Sequence, residues 1–179
     1  MDWYLIFKFL HVACAIGWAG GGLAIIVLGI RAERAKDDVG IVQVFRDGVY
    51  VVPRVLLPSS MGAVVAGVVT VILGQSWNQL WIIVGIVGFL VTFTFGNFYI
   101  KPLGDQMIAI ADKEGPTSAA AARCRKMLAL IKFDAVLMFT IVADMVLKPQ
   151  VGDWLTLAIM VLVVLGAAIV FLRPKTASA

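Results

Sequence analysis

Leu5–Ile30 reads LIFKFLHVACAIGWAGGGLAIIVLGI, and this stretch decides the fold. Its apolar length exceeds the roughly 20 residues a helix needs to cross a bilayer. Its β-branched residues do not alternate with polar ones, and a barrel would need many shorter segments, so strands are excluded. Four further runs share this character: Val55–Gly74, Leu80–Ile100, Leu128–Leu147 and Trp154–Leu172. The sequence therefore predicts an all-α polytopic transmembrane helical bundle in a single domain, with a four-helix core and a C-terminal fifth helix. Composition agrees. Of 179 residues, 61% are hydrophobic and 15% charged, and mean hydropathy is +0.99, whereas soluble domains carry about 25% charged residues. One small core cannot hide that much apolar surface, so lipid must solvate it.

The basic residues give the orientation. Of the 15 Lys and Arg residues, all but Lys8 and Lys148 fall on one side of the predicted spans. Arg31, Arg34, Lys36, Arg46 and Arg54 follow span one. Lys101, Lys113, Arg123, Arg125, Lys126 and Lys132 surround the connection of spans three and four, and Arg173 and Lys175 form the tail. By the positive-inside rule the N-terminus is outside and the C-terminus cytoplasmic, in a multi-pass protein of the inner (cytoplasmic) membrane. The net charge of +4 is thus topogenic, and no nucleic-acid partner is expected. Span one is too long for a cleaved signal and lacks a basic leader or a small-residue cleavage site. Cys14 and Cys124 fall on opposite sides of the membrane, which excludes a disulfide between them.

The connections carry their own signals. Val39–Tyr50 is amphipathic and is expected to lie along the cytoplasmic interface. Pro58 is expected to kink span two, with Ser59 and Ser60 satisfying freed backbone groups. Leu103–Lys113 extends span three as a cytoplasmic helix, Gly115-Pro116 breaks it, and Thr117 or Ser118 caps the next helix. Lys148-Pro149 ends span four. Trp3, Trp77, Trp81 and Trp154 form a belt at the outer ends. Met107, Met127, Met138 and Met145 are scattered in depth and read as packing residues.

Ionisable residues inside spans are costly and are candidate functional residues by default. Lys8 and His11 share one face of span one with Tyr4, Ala15, Trp18 and Gly22, while Gly17, Gly20 and Gly21 permit close helix approach. His11 lies roughly 9 Å below the outer interface at 1.5 Å per residue. An imidazole there can bind haem iron or relay a proton; equally, it can be a buried histidine bonded to a carboxylate or a backbone carbonyl. Lys8 reads as a snorkelling anchor. Asp144 precedes Lys148 by four, which suggests a local ion pair, and its depth also suits a contact with His11. Asp134 matches the depth of Arg54 and Lys101, where a structural salt bridge is expected. Asn97, Thr92 and Thr94 read as interhelical hydrogen-bonders.

The pattern Tyr4-x-x-x-Lys8-x-x-His11-Val12 followed by Trp18-x-Gly20-Gly21 resembles the opening helix of the HemJ and CopD-like group of small membrane proteins. The Arg-rich connection into Pro58-Ser59-Ser60, and Met145-Val146-Leu147-Lys148-Pro149, add to the resemblance over about the first 150 residues. It is closest to the branch known only as predicted integral membrane proteins. The resemblance implies haem b, with His11 as the candidate iron ligand and Lys8, Trp18 and Gly21 around the cofactor. Three readings then stand. One is a haem-associated, redox-linked protein. The second is a non-enzymatic accessory or structural subunit, packed as a homo-oligomer or within a larger membrane complex. The third is a small transporter. Beyond the lipid bilayer, the sequence names no partner.

Overall fold

A computed structural model describes residues 1–173. Seven α-helices follow one another: α1 (Trp3–Arg34), α2 (Asp38–Val51), α3 (Leu57–Leu73), α4 (Leu80–Phe95), α5 (Lys101–Glu114), α6 (Ser118–Leu147) and α7 (Trp154–Leu172). Two π-helical segments, Val52–Leu56 and Gly96–Ile100, join α2 to α3 and α4 to α5, so that each pair forms one continuous rod. Local chemistry sets the starts and stops. The Asp2 carboxylate accepts from the Tyr4 and Leu5 amides, Asp37 accepts from Gly40, and Thr117 accepts from Ala120. Gly115 supplies a φ of 76° after α5, and Lys148 ends α6 in the left-handed region, ahead of Pro149.

Among the described residues, four helical stretches are long and apolar enough to cross a membrane: Trp3–Arg34, Asp38–Leu73, Leu80–Glu114 and Trp154–Leu172. α6, counted as the fourth span from sequence, has the length but carries Lys132, Asp134 and Asp144. Its position suits that load. α6 packs on α1, α2, α4, α5 and α7, so its polar residues have protein around them. Among the described residues α7 packs on α6 alone, at the edge of the bundle.

Both π segments have the same cause. Each ends two residues before a proline, Pro58 after Val52–Leu56 and Pro102 after Gly96–Ile100. Proline lacks an N–H and its ring crowds the carbonyl four residues back. The preceding turn widens to an i→i+5 pattern, with the Leu57 amide bonded to Val52 and the Lys101 amide to Gly96. The kink expected at Pro58 is thus a widened turn.

The rods exceed a bilayer. The 32 residues of α1 span about 48 Å against a hydrocarbon core of about 30 Å. The surplus gathers at the charged end, where Ile41, Val42, Phe45, Met107, Cys124 and Leu128 form a buried cluster with Ala32, Ala111, Ala120, Ala121 and Met127. The segment expected to lie flat on the interface is therefore corrected: α2 turns Ile41, Val42, Phe45 and Gly48 inward, toward α1, α5 and α6. Apolar surface of that size gains more from a protein core than from the headgroup region. Pairs tie the rim: Arg46 to Asp112 at 2.5 Å, Arg125 to Asp38 at 2.5 Å and Lys132 to Glu33 at 3.3 Å. Being partly exposed, they fix register more than they stabilise.

Burial pushes the Cys124 thiol up from 9.0 to about 11, with Arg125 opposing. At pH 8 only about one part in a thousand is thiolate. Alkylation of Cys124 in the folded protein is expected to be slow from either side of the membrane and to become fast on unfolding. Equal rates in both states would remove Cys124 from the core. The raised value also carries a sign: the thiol's contribution to stability is intact below about pH 9 and is lost as pH rises through about 11.

Candidate intramembrane binding site

The tightest helix pair, α1 with α3, is built from small residues set against large ones. The two run antiparallel, and a Cβ on Gly74 would meet Tyr4, on Gly67 His11, on Gly62 Cys14, on Gly17 Ser59 and on Gly21 Leu56. Gly17 and Gly21 thus sit at the helix contact as expected. Gly20 does not, because a Cβ there would meet nothing within 4 Å.

His11 belongs to this seam. Its Nδ1–H donates to the Ala63 carbonyl at 2.6 Å, reaching across because Gly67 leaves the ring room. A Cβ on Gly67 would stand 2.8 Å from Nδ1. Of the partners open to this histidine, the backbone carbonyl is the one it takes, and the contact with Asp144 is not made. Lys8 is exposed and lies over the Tyr4 ring at 5.8 Å, away from any shared pocket with His11.

The acids depart from their expected pairings. Asp144 is fully buried between α4 and α6, near Gly85, and neither of its oxygens has a hydrogen-bond partner among the described residues. Lys148 lies over the Trp81 ring instead, at 5.2 Å. Arg54 stacks on Tyr50 at 3.7 Å and donates to its carbonyl at 3.0 Å. Asp134 therefore has no salt bridge to Arg54 or Lys101, and its Oδ1 is buried without a partner among the described residues.

Asp134 lines a cavity of about 490 Å³ that both π segments border. Val52, Pro53 and Leu56 form one wall, and Gly96, Asn97 and Ile100 the opposite one. Trp18 and Gly22 close it from α1, and Met127, Ile131 and Met138 from α6. Although consecutive, α3 and α4 do not pack on each other, so the cavity opens sideways between them. Val52, Leu57 and Phe93 at that opening are 41–45% exposed, the level of lipid-facing residues in this bundle. The opening lies about 20 Å along α4 from Leu80, in the half of the membrane nearer the charged end.

The polar side chains in this cavity mostly spend their hydrogens on their own helices. Ser60 donates to Leu57 at 2.9 Å, Thr92 to Phe89 at 3.0 Å and Asn97 to Phe93 at 2.9 Å. Thr92 and Asn97 are thus not interhelical hydrogen-bonders. What they offer the cavity is acceptor oxygen and the second Asn97 N–H. Sequence reasoning noticed these residues singly but missed the cavity. Pro58 and Pro102, each after an apolar run, were the readable signal for the two widened turns that shape it.

Haem b does not fit these residues. His11 lines neither this cavity nor a cleft of about 780 Å³ between α1, α6 and α7. Trp18 faces the cavity and Phe89, its ring edge-on at 5.8 Å, whereas Gly21 faces Leu56. The residues expected to surround one cofactor are therefore dispersed.

A family model described as a predicted integral membrane protein, DUF2269, matches residues 5–149. The chain belongs to that family. The match covers α1 through the end of α6 and stops before α7. It shows a membrane protein family, without extending to the HemJ and CopD-like grouping. No curated protein and no solved structure matches the chain significantly.

Proposed function

We propose that this integral membrane protein is a non-enzymatic binding protein for an apolar ligand drawn from the bilayer, acting as an accessory component of the cytoplasmic membrane. The observation that carries this reading is the cavity between the π segments with its sideways opening between α3 and α4. A site entered from lipid selects hydrophobic molecules, because a water-soluble one would have to cross hydrocarbon to reach it. Gly96 and Gly22 supply the test: both line the cavity, and a Cβ on either meets nothing within 4 Å. Gly96→Phe and Gly22→Phe should fill it without disturbing the bundle. In nanodiscs, a fluorescent long-chain probe should bind the parent protein and lose most of its binding in both variants, with thermal stability retained. Unchanged binding in both variants would overturn the reading.

The same proposal places α6 across the membrane as a fifth span, with the N-terminus outside and the charged end cytoplasmic. The basic asymmetry of the sequence supports it. Lys113→Cys, in the exposed last turn of α5, should react with an impermeant thiol reagent only after cells are permeabilised. Asn78→Cys, in the α3–α4 connection, should react in intact cells. The reverse pattern would invert the topology.

A further inference from the structure

We propose that the ligand of this cavity is an amphiphile whose head is a hydrogen-bond-donating cation, a long-chain primary amine in chemical class, held by the Asp134 carboxylate. This rests on the cavity being a binding site, and it deepens that reading by naming the head group.

The register between α4 and α6 locates Asp134. Gly88 faces Ile141, Phe95 packs edge-on to Phe133 at 5.3 Å, and Gly104 faces Met127. Asp134 therefore stands level with the start of the second π segment, which also brings Asn97 to the cavity. Its Oδ1 is buried and unpartnered among the described residues, which leaves Oδ2 as the oxygen toward the cavity. Around it the hydroxyl hydrogens of Ser60 and Thr92 and one of the two Asn97 amide hydrogens are committed to backbone carbonyls. The second Asn97 N–H does not bond Oδ1 among the described residues, and the two other N–H donors in the lining are remote. Lys101 lies six residues past Phe95, about 9 Å toward the charged end. Trp18 lies on α1 toward the opposite end, where α1 packs on α3 near Ser59.

A head placed at this depth meets oxygen acceptors and a carboxylate. Phosphate or carboxylate heads bring only acceptors and negative charge, and would leave the Asp134 carboxylate unpaired. A quinone-type carbonyl can accept from the second Asn97 N–H but leaves the Asp134 carboxylate unpaired. An alcohol can donate one hydrogen. An ammonium donates three and neutralises the carboxylate, which is the pairing that low-dielectric surroundings favour most. The apolar walls formed by Ile25, Phe89, Phe93 and Ile131 take the chain. General electrostatics would favour the opposite choice, because the protein carries +4 and Arg54 and Lys101 flank this end. Asp105 also lines this end of the cavity, so the Asp134→Asn variant is what assigns an amine preference to Asp134.

The test compares dodecylamine, dodecanol and dodecanoate as displacers of the fluorescent probe, in nanodiscs of zwitterionic lipid at pH 7, against protein-free nanodiscs. The amine should compete about tenfold better than the alcohol, and the carboxylate worst. Asp134→Asn should reduce the amine to the level of the alcohol while leaving dodecanol unchanged. Lys101→Gln should keep the amine preference. If dodecanoate competes as well as the amine, or if Asp134→Asn keeps the preference, the head-group inference fails although the cavity stands. An amine preference that appears only in Lys101→Gln would also overturn it, since Asp134 would then be paired from within the chain. If no probe is displaced and Gly96→Phe changes nothing, the binding-protein reading itself fails.

Discussion

Phe45→Ala should destabilise the protein by about 3–5 kcal/mol, the range for deleting a buried aromatic ring. Phe45 is 2% exposed and sits in the cluster at the charged end with Ile41, Met107 and Leu128, beside Gly29 of α1. It packs with α1, α5 and α6 and also borders the cavity, so the space the ring leaves joins an opening already there and is not refilled. The comparison is Val65→Ala on α3, whose side chain is 63% exposed to the lipid side. Acyl chains fill the space of the missing methyl groups there, and the expected change is below about 1 kcal/mol. Reversible unfolding in mixed micelles, read by far-UV circular dichroism, measures both. Equal effects would mean that the charged-end cluster is not a separate core. The contrast bears on mechanism, because this cluster braces α2 and α5, the helices that carry the two π segments and so hold the cavity open.

Much of this arrangement was legible in the sequence. The apolar runs gave the helices almost to their ends, since hydrocarbon leaves the backbone no alternative but internal hydrogen bonding. Gly115-Pro116, Thr117 and Lys148-Pro149 marked boundaries by local stereochemistry, which needs no partner. Gly17 and Gly21 were readable as contact points because small residues in a membrane helix have few other uses. Tertiary choices were not readable. Whether α2 lies on lipid or on protein depends on how far α1, α5 and α6 protrude past the membrane. Whether Asp134 meets Arg54 depends on a rotation about the helix axis, and the widened turn after Pro53 alters that rotation. His11 shows the limit most clearly. Its residue type allowed an iron ligand, a carboxylate partner or a carbonyl partner, and the choice was made by Gly67, more than fifty positions away in sequence.

That choice yields the sharpest test of the membrane-level packing. Alanine is a better helix former than glycine by about 1 kcal/mol, so Gly67→Ala in an otherwise indifferent place would stabilise α3. Here the added Cβ would lie 2.8 Å from His11 Nδ1 and 3.0 Å from Cε1. The ring cannot swing clear while its N–H stays on the Ala63 carbonyl at 2.6 Å. Relief requires either breaking that bond, which strands the imidazole N–H between helices, or moving α1 away from α3. Gly67→Ala should therefore destabilise by about 1–3 kcal/mol despite the gain in helix propensity. His11→Ala alone should also destabilise, through the missing hydrogen bond and the space left in the seam. Ala63 still keeps the acceptor role that an α-helix gives it toward residue 67. In the double variant the obstacle to the new methyl is gone, and adding Gly67→Ala on top of His11→Ala should be neutral or stabilising by up to about 1 kcal/mol. A sign reversal of this kind is a coupling of about 1–4 kcal/mol, outside what independent sites show. If the two destabilisations simply add, the ring does not rest against Gly67, and the packing of α1 on α3 derived from it fails with it.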